Sequence, residues 1–188
     1  MTFFIVGVGL ALILAACSPL SSPTAMPVPL TPMEGSMTFQ LTSTAFTQGN
    51  PIPAVYTCTS RNISPPLAWG DPPADTRNLA LIMDDPDAPA GDWVHWVIYN
   101  IPASSRALPE NISSDAQLAD GSLHGKNSWG KLGYGGPCPP FGTHRYFFRL
   151  YALDATLNLK AGANKAELLR AIEGHLLELT ELMGTYEK

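Results

Sequence analysis

The chain has 188 residues, 45% of them apolar and 14% charged, with a formal net charge of -5. That length holds one domain and an appendage, and that composition excludes a disordered, highly charged chain. With 11 Lys and Arg against 16 Asp and Glu there is no basic footprint, so nucleic acid is not an expected partner.

Residues 1–36 contain no Lys or Arg and a single acid, Glu34. Phe3 to Ala16 is an apolar run of 14 residues, shorter than the roughly 20 that span a bilayer. It suits the apolar core of an export signal. It ends in Leu14-Ala15-Ala16-Cys17, which resembles a bacterial lipobox. On this reading residues 1–16 are a lipoprotein signal peptide, and Cys17 is acylated as the first residue of the mature chain. One departure is an n-region whose only positive charge is the Met1 amino group. Ser18 to Ser36 holds five Pro and six Ser or Thr, so it reads as a tether that cannot bury a core. Residues 17–36 are then the lipidated Cys and its linker, and residues 37–188 the folded domain. The layout predicts a cell-envelope protein, lipid-anchored to a bacterial membrane and facing outside the cytoplasm.

Cys58 and Cys138 remain. In an oxidising compartment they can close a disulfide loop of about 80 residues; the alternative is a pair of buried thiols.

Within the domain, 16 Gly and 18 Pro across the chain favour strands and loops. Met37 to Thr42 alternates like a strand. Leu79 to Met83 is a continuous apolar run, as in a central buried strand. Trp93 to Ile101 and Arg145 to Leu153 are rich in aromatic and β-branched residues and predict two more strands. Alternation along the first of these puts Trp93, His95, Val97 and Tyr99 on one face. Near the end, Asn164 with Glu167 forms a capping-box pattern. Leu168, Ile172, Leu176, Leu179 and Met183 follow at helical spacing, and Gly184 is a stop. The expectation is a mainly β domain with one C-terminal helix that includes His175.

Three clusters can carry chemistry. Asp84-Asp85-Pro86-Asp87 places three carboxylates directly after a buried strand. His95 sits among aromatic residues in Trp93-Val94-His95-Trp96. Gly133 to Tyr146 joins a Gly/Pro loop to a strand on which His144, Tyr146 and Phe148 share a face. Gly135 and Gly136 can bring backbone amides to an anion. No GK[ST] or GxSxG occurs, so neither a Walker loop nor a nucleophile elbow is present. If Asp85, Asp87, His95, His144 and Tyr146 converge, they make a small aromatic-rimmed anion site.

These same segments, DDPDAP, WVHW and GYGGPCPPFGTHRYFFRLYAL, resemble the phosphatidylethanolamine-binding protein family. Tyr56 to Trp69, NSWGKLGYGGPCPP and the closing LMGTYEK look like its bacterial YbhB/YbcL branch, the Raf-kinase-inhibitor-like proteins. The resemblance covers Met37 to Lys188. It implies a β-sandwich of antiparallel sheets with short peripheral helices and a small anion pocket. The pocket residues it implies are Asp85, Asp87, Pro89, Trp93, His95, Gly136, Pro139, Pro140, His144 and Tyr146. Arg145 is added here as an ion-pair partner for Asp87. Eukaryotic members carry a longer insertion before the Trp93 strand, so kinase-facing contacts do not transfer.

The function expected is non-catalytic binding of phosphate-bearing small molecules or lipid headgroups, with no catalytic residue, metal or cofactor. Membrane contact runs through the N-terminal lipid, and a homodimer is a further expectation. The alternatives are inhibition of a protease or kinase partner through the same pocket, and a hydrolase. A hydrolase would use Zn²⁺ on the His and Asp set, or Cys138 with His144.

Overall fold

The structure is a computed structural model that describes residues 1–3 and 39–188. The signal peptide, the Cys17 lipidation site, the tether and the first two residues of the Met37–Thr42 strand lie outside the described residues. The chain divides into two units, Met1–Glu34 and Gly35–Lys188, and every element below belongs to the second.

Two antiparallel sheets make the domain. The smaller has the order β1 (Leu41–Thr42), β2 (Leu67–Trp69) and β5 (Ala107–Leu108). The larger has the order β6 (Leu123–His124), β4 (Trp93–Pro102), β3 (Asn78–Asp85), β7 (Thr143–Leu153) and β8 (Leu176–Glu187). One α-helix, α1 (Lys165–Ile172), precedes β8. In place of several peripheral helices, the described residues show only a single 3-10 turn at Ala54–Tyr56.

Strand β3 is central because it is apolar on both faces. Leu79, Leu81 and Met83 enter one core with Trp96, Ile98, Tyr146, Phe148 and Leu150, which packs towards the small sheet through Leu41, Leu67 and Trp69. Ala80 and Ile82 enter a second core with Val97, Tyr99, Leu153, Leu168 and Ile172, which α1 covers. A strand buried on both faces loses period-two alternation and reads as a continuous apolar run.

The C-terminal helix is shorter than its sequence period suggests. Its start is the capping box: the Asn164 side chain accepts from the Glu167 amide, and the Glu167 side chain accepts from the Asn164 amide. It ends at Ile172, because Gly174 takes φ +81, a left-handed conformation that glycine adopts at low cost. His175 therefore lies in a turn, with Nδ1 2.8 Å from Asp154 Oδ1. Leu176, Leu179 and Met183 belong to β8 instead. Leu182 and Gly184 alternate inward there, and a Cβ on Gly184 would lie 2.6 Å from Ile52 Cγ1. Gly184 is thus a packing residue of the strand, not a helix stop.

Candidate functional site

Alternation at the end of β3 sends its two aspartates to opposite faces. Asp84 is held by Arg149 and Lys165 on the side of the helix-covered core. Asp85 points the other way, where His144 Nδ1 donates to its Oδ2 at 2.7 Å. Its second oxygen accepts the Asp87 amide at 2.9 Å. Both Asp85 and His144 are buried. Asp87 turns outward and receives the Arg145 amide, Nε and Nη2 at 3.0, 2.9 and 2.7 Å. These bonds hold its carboxyl down at about 2. Asp87 is a brace across the β3 and β7 ends, not a cavity wall.

His95 reaches the site through a register shift. Met83 pairs with Trp96 and Asp84 with Val94, so His95 has no partner on β3. A bulge of this kind redirects a side chain. Strict alternation would group His95 with Val97 and Tyr99. Instead those two enter the helix-covered core, while the His95 ring meets the edge of Tyr146 at 5.2 Å and of Trp129 at 5.1 Å. Its Nδ1–H donates to Gly135 O at 2.6 Å, and Gly135 N returns a bond to His95 O at 3.0 Å. Burial lowers the His95 pKa. The ring is therefore neutral, with Nε2 left as an acceptor.

Tyr146 lies beneath these groups, fully buried, and its hydroxyl has no hydrogen-bond partner. Burial and the Asp85 charge raise its pKa far above the ordinary phenol value, so it remains an O–H donor.

The cavity over these residues holds about 310 Å³. Asp85, His95 and His144 are its polar end, and Pro89, Trp93, Pro139 and Pro140 its apolar wall. Ala88, Ala90, Trp129 and Cys138 complete it. Trp129 packs edge-on against Trp93 at 5.4 Å. The sequence marks Trp129 only as an aromatic residue in a neighbouring loop, since nothing in its local pattern shows which cavity it will wall.

The glycine pair does not bind as its sequence suggests. Gly135 N is spent on His95 O, and Gly136 N donates to Asn62 Oδ1 at 2.7 Å. A Cβ on Gly136 would lie 2.3 Å from Tyr56 O, so close backbone packing explains that glycine. Neither amide is available to an anion, and Gly136 lines a neighbouring cavity. The loop is fixed further by a Cys58–Cys138 disulfide with Cα atoms 5.4 Å apart, and by Tyr134 Oη donating to Tyr56 O.

Chemically, the site presents His144 Nε2 on a ring that Asp85 orients through Nδ1, whereas the Tyr146 hydroxyl is buried and does not line the cavity. The site offers His95 Nε2 as acceptor. Two imidazole nitrogens at one end of an otherwise largely apolar cavity can hydrogen-bond a small polar group. Both Asp85 oxygens and both Asp87 oxygens already accept protein hydrogen bonds. Among the described residues, no group of three His, Cys, Asp or Glu is placed to hold a metal. Cys138 is disulfide-bonded and has no thiolate to offer.

A family model described as phosphatidylethanolamine-binding protein matches residues 42–187. A UPF0098 protein of Methanothermobacter thermautotrophicus is 54% identical over 144 residues, which is 77% of this chain and 95% of that one. A UPF0098 protein of Chlamydia muridarum is 46% identical over 154 residues, 79% of this chain and 99% of its own. Among solved structures, a phosphatidylethanolamine-binding protein homologue from Chlamydia trachomatis superposes with a TM-score of 0.75 at 44% identity, covering 81% of this chain and 99% of that chain. Escherichia coli YbcL superposes with a TM-score of 0.74 at 30% identity, covering 80% and 98%.

Proposed function

This chain belongs to the phosphatidylethanolamine-binding protein family, and we propose that it is a non-catalytic binding protein for phosphate-bearing small molecules or headgroups. Family membership is consistent with a binding protein. The observation that supports the phosphate is the buried Asp85–His144 pair opening on the 310 Å³ cavity. His144 lines the cavity with its Nδ1 tied to Asp85, which leaves Nε2 as the ring nitrogen free to hydrogen-bond an incoming phosphate. His95 accepts the P–O–H proton, and the tryptophan and proline walls take the carbon substituent.

The site predicts which histidines respond. Nitrogen-15 spectra of the imidazoles, followed during titration with methyl phosphate, should show Nε2 of His144 and His95 moving together. His124, bonded to Asp115 O, and His175, bonded to Asp154, should stay still. Movement of His124 or His175 alone would refute the site.

We place the protein at the cell envelope, held through lipid on Cys17. The Cys58–Cys138 disulfide supports this, since such bonds persist in oxidising compartments. Metabolic labelling with palmitate should mark the full chain and fail on Cys17→Ser; equal labelling of both would exclude the anchor.

A further inference from the structure

A second cavity of about 390 Å³ adjoins the first, and Trp129 and Cys138 are walls of both. One turn builds the partition. Asn127 Oδ1 accepts the amides of Trp129 and Lys131 at 3.1 and 3.0 Å, and Asn127 N donates to Lys131 O at 2.9 Å. Ser128 docks this turn on β4: its amide donates to Val94 O, and its Oγ accepts Val94 N. Gly135 makes room for the indole, since a Cβ there would lie 2.6 Å from Trp129 Cζ3. The same buried Asn127 thus presents Trp129 to the first cavity and Lys131 to the second.

The second cavity differs in chemistry from the first. Lys131 on its wall pairs with no carboxylate among the described residues. Asn62 uses Oδ1 on Gly136 N, which leaves its Nδ2–H groups as donors. Ser114 adds a hydroxyl, and no acid lines the cavity. Cationic and donor groups without a nearby carboxylate favour an anion.

We propose that this cavity is a second ligand subsite, which takes a carboxylate or second phosphate carried on the same molecule whose phosphate occupies the Asp85–His144 cavity. The inference rests on the phosphate reading of the first cavity. It narrows the ligand class to compounds with two anionic groups, set on either side of the Trp129 indole.

The test uses ω-carboxyalkyl phosphates of two to six methylene groups, each compared calorimetrically with the alkyl phosphate of the same length. At least one carboxylate-bearing member should bind about tenfold tighter than its match, the usual size of one charge-assisted hydrogen bond at a partly open site. Lys131→Met should erase that gain, Lys131→Arg should keep it, and inorganic phosphate should bind all three proteins alike. If no member gains, or the gain survives in Lys131→Met, the second subsite is refuted while the phosphate cavity stands. If neither inorganic phosphate nor any alkyl phosphate binds, the phosphate reading fails and this inference fails with it.

Discussion

His144 donates from Nδ1 to Oδ2 of Asp85 across 2.7 Å, and the two residues are only 5% and 3% exposed. The bond joins the end of β3 to the start of β7, so the polar end of the cavity is set by the register of two neighbouring central strands. Asp85→Asn keeps the shape and removes the carboxylate that accepts from His144 Nδ1. It should weaken phosphate binding at least tenfold and lower stability by about 1–3 kcal/mol in urea unfolding. Unchanged binding would mean that the carboxylate plays no part in holding the anion.

The Asp87–Arg145 bridge makes a different, acid-side prediction. The Asp87 carboxyl is depressed to about 2 in the fold, against about 4 in the unfolded chain. Its stabilisation is therefore fully present above about pH 4 and is lost as the pH falls towards 2. Arg145→Met should be less stable than the parent at pH 6, with the gap closing below pH 4. Arg145 is 54% exposed at its side chain, so the effect is small and salt-sensitive. A gap independent of pH would show that Arg145 acts by packing alone.

His95 runs with the opposite chemistry and the same sign. Burial lowers its pKa below the unfolded value of about 6.5, so the neutral ring favours folding above that pH and opposes it below. His95→Gln should flatten the fall in melting temperature between about pH 6.5 and 5. In the parent, nitrogen-15 spectra at pH 7 should show the Nδ1–H tautomer. Detection of the Nε2–H tautomer would contradict the bond to Gly135 O.

The Cys58–Cys138 bond closes a loop across a sequence separation of 80. In the chain-entropy model, its removal costs about 4 kcal/mol. The double variant Cys58→Ser with Cys138→Ser should melt roughly 10 °C or more below the parent. Because Cys138 walls the cavity, phosphate affinity should fall as well; a variant with lowered melting but parental affinity would separate loop stability from the site.

Much of the site is legible in the residues themselves. Asp85 follows from its place directly after the apolar run of β3 and His144 from alternation along β7; Tyr146 shares the His144 face but is buried and does not line the cavity. His95 is legible as a residue but not in its direction, because the bulge opposite Met83 and Asp84 depends on pairing that no local pattern encodes. Gly136 reads as an amide donor, yet its amide is consumed by Asn62, 74 residues away in sequence. The β8 error has a similar origin. Leu176, Leu179 and Met183 continue the helical spacing of Leu168 and Ile172, but Leu176 and Leu179 are 48% and 45% exposed and serve no core. Pairing with β7, together with Gly174, overrides that period. Gly184→Ala, which would press a methyl group against Ile52 and Phe46, should cost about 1–3 kcal/mol in thermal or urea unfolding, whereas a helix-end position would tolerate it.

Phosphate in the Asp85–His144 cavity is the proposal on which the functional reading stands. The most direct test is calorimetric titration of the protein with inorganic phosphate at pH 6.5, repeated on His144→Ala after thermal melting has verified its fold. Saturable binding in the parent that disappears in the variant is the predicted result. Absence of binding in the parent, or equal binding in both proteins, would contradict it.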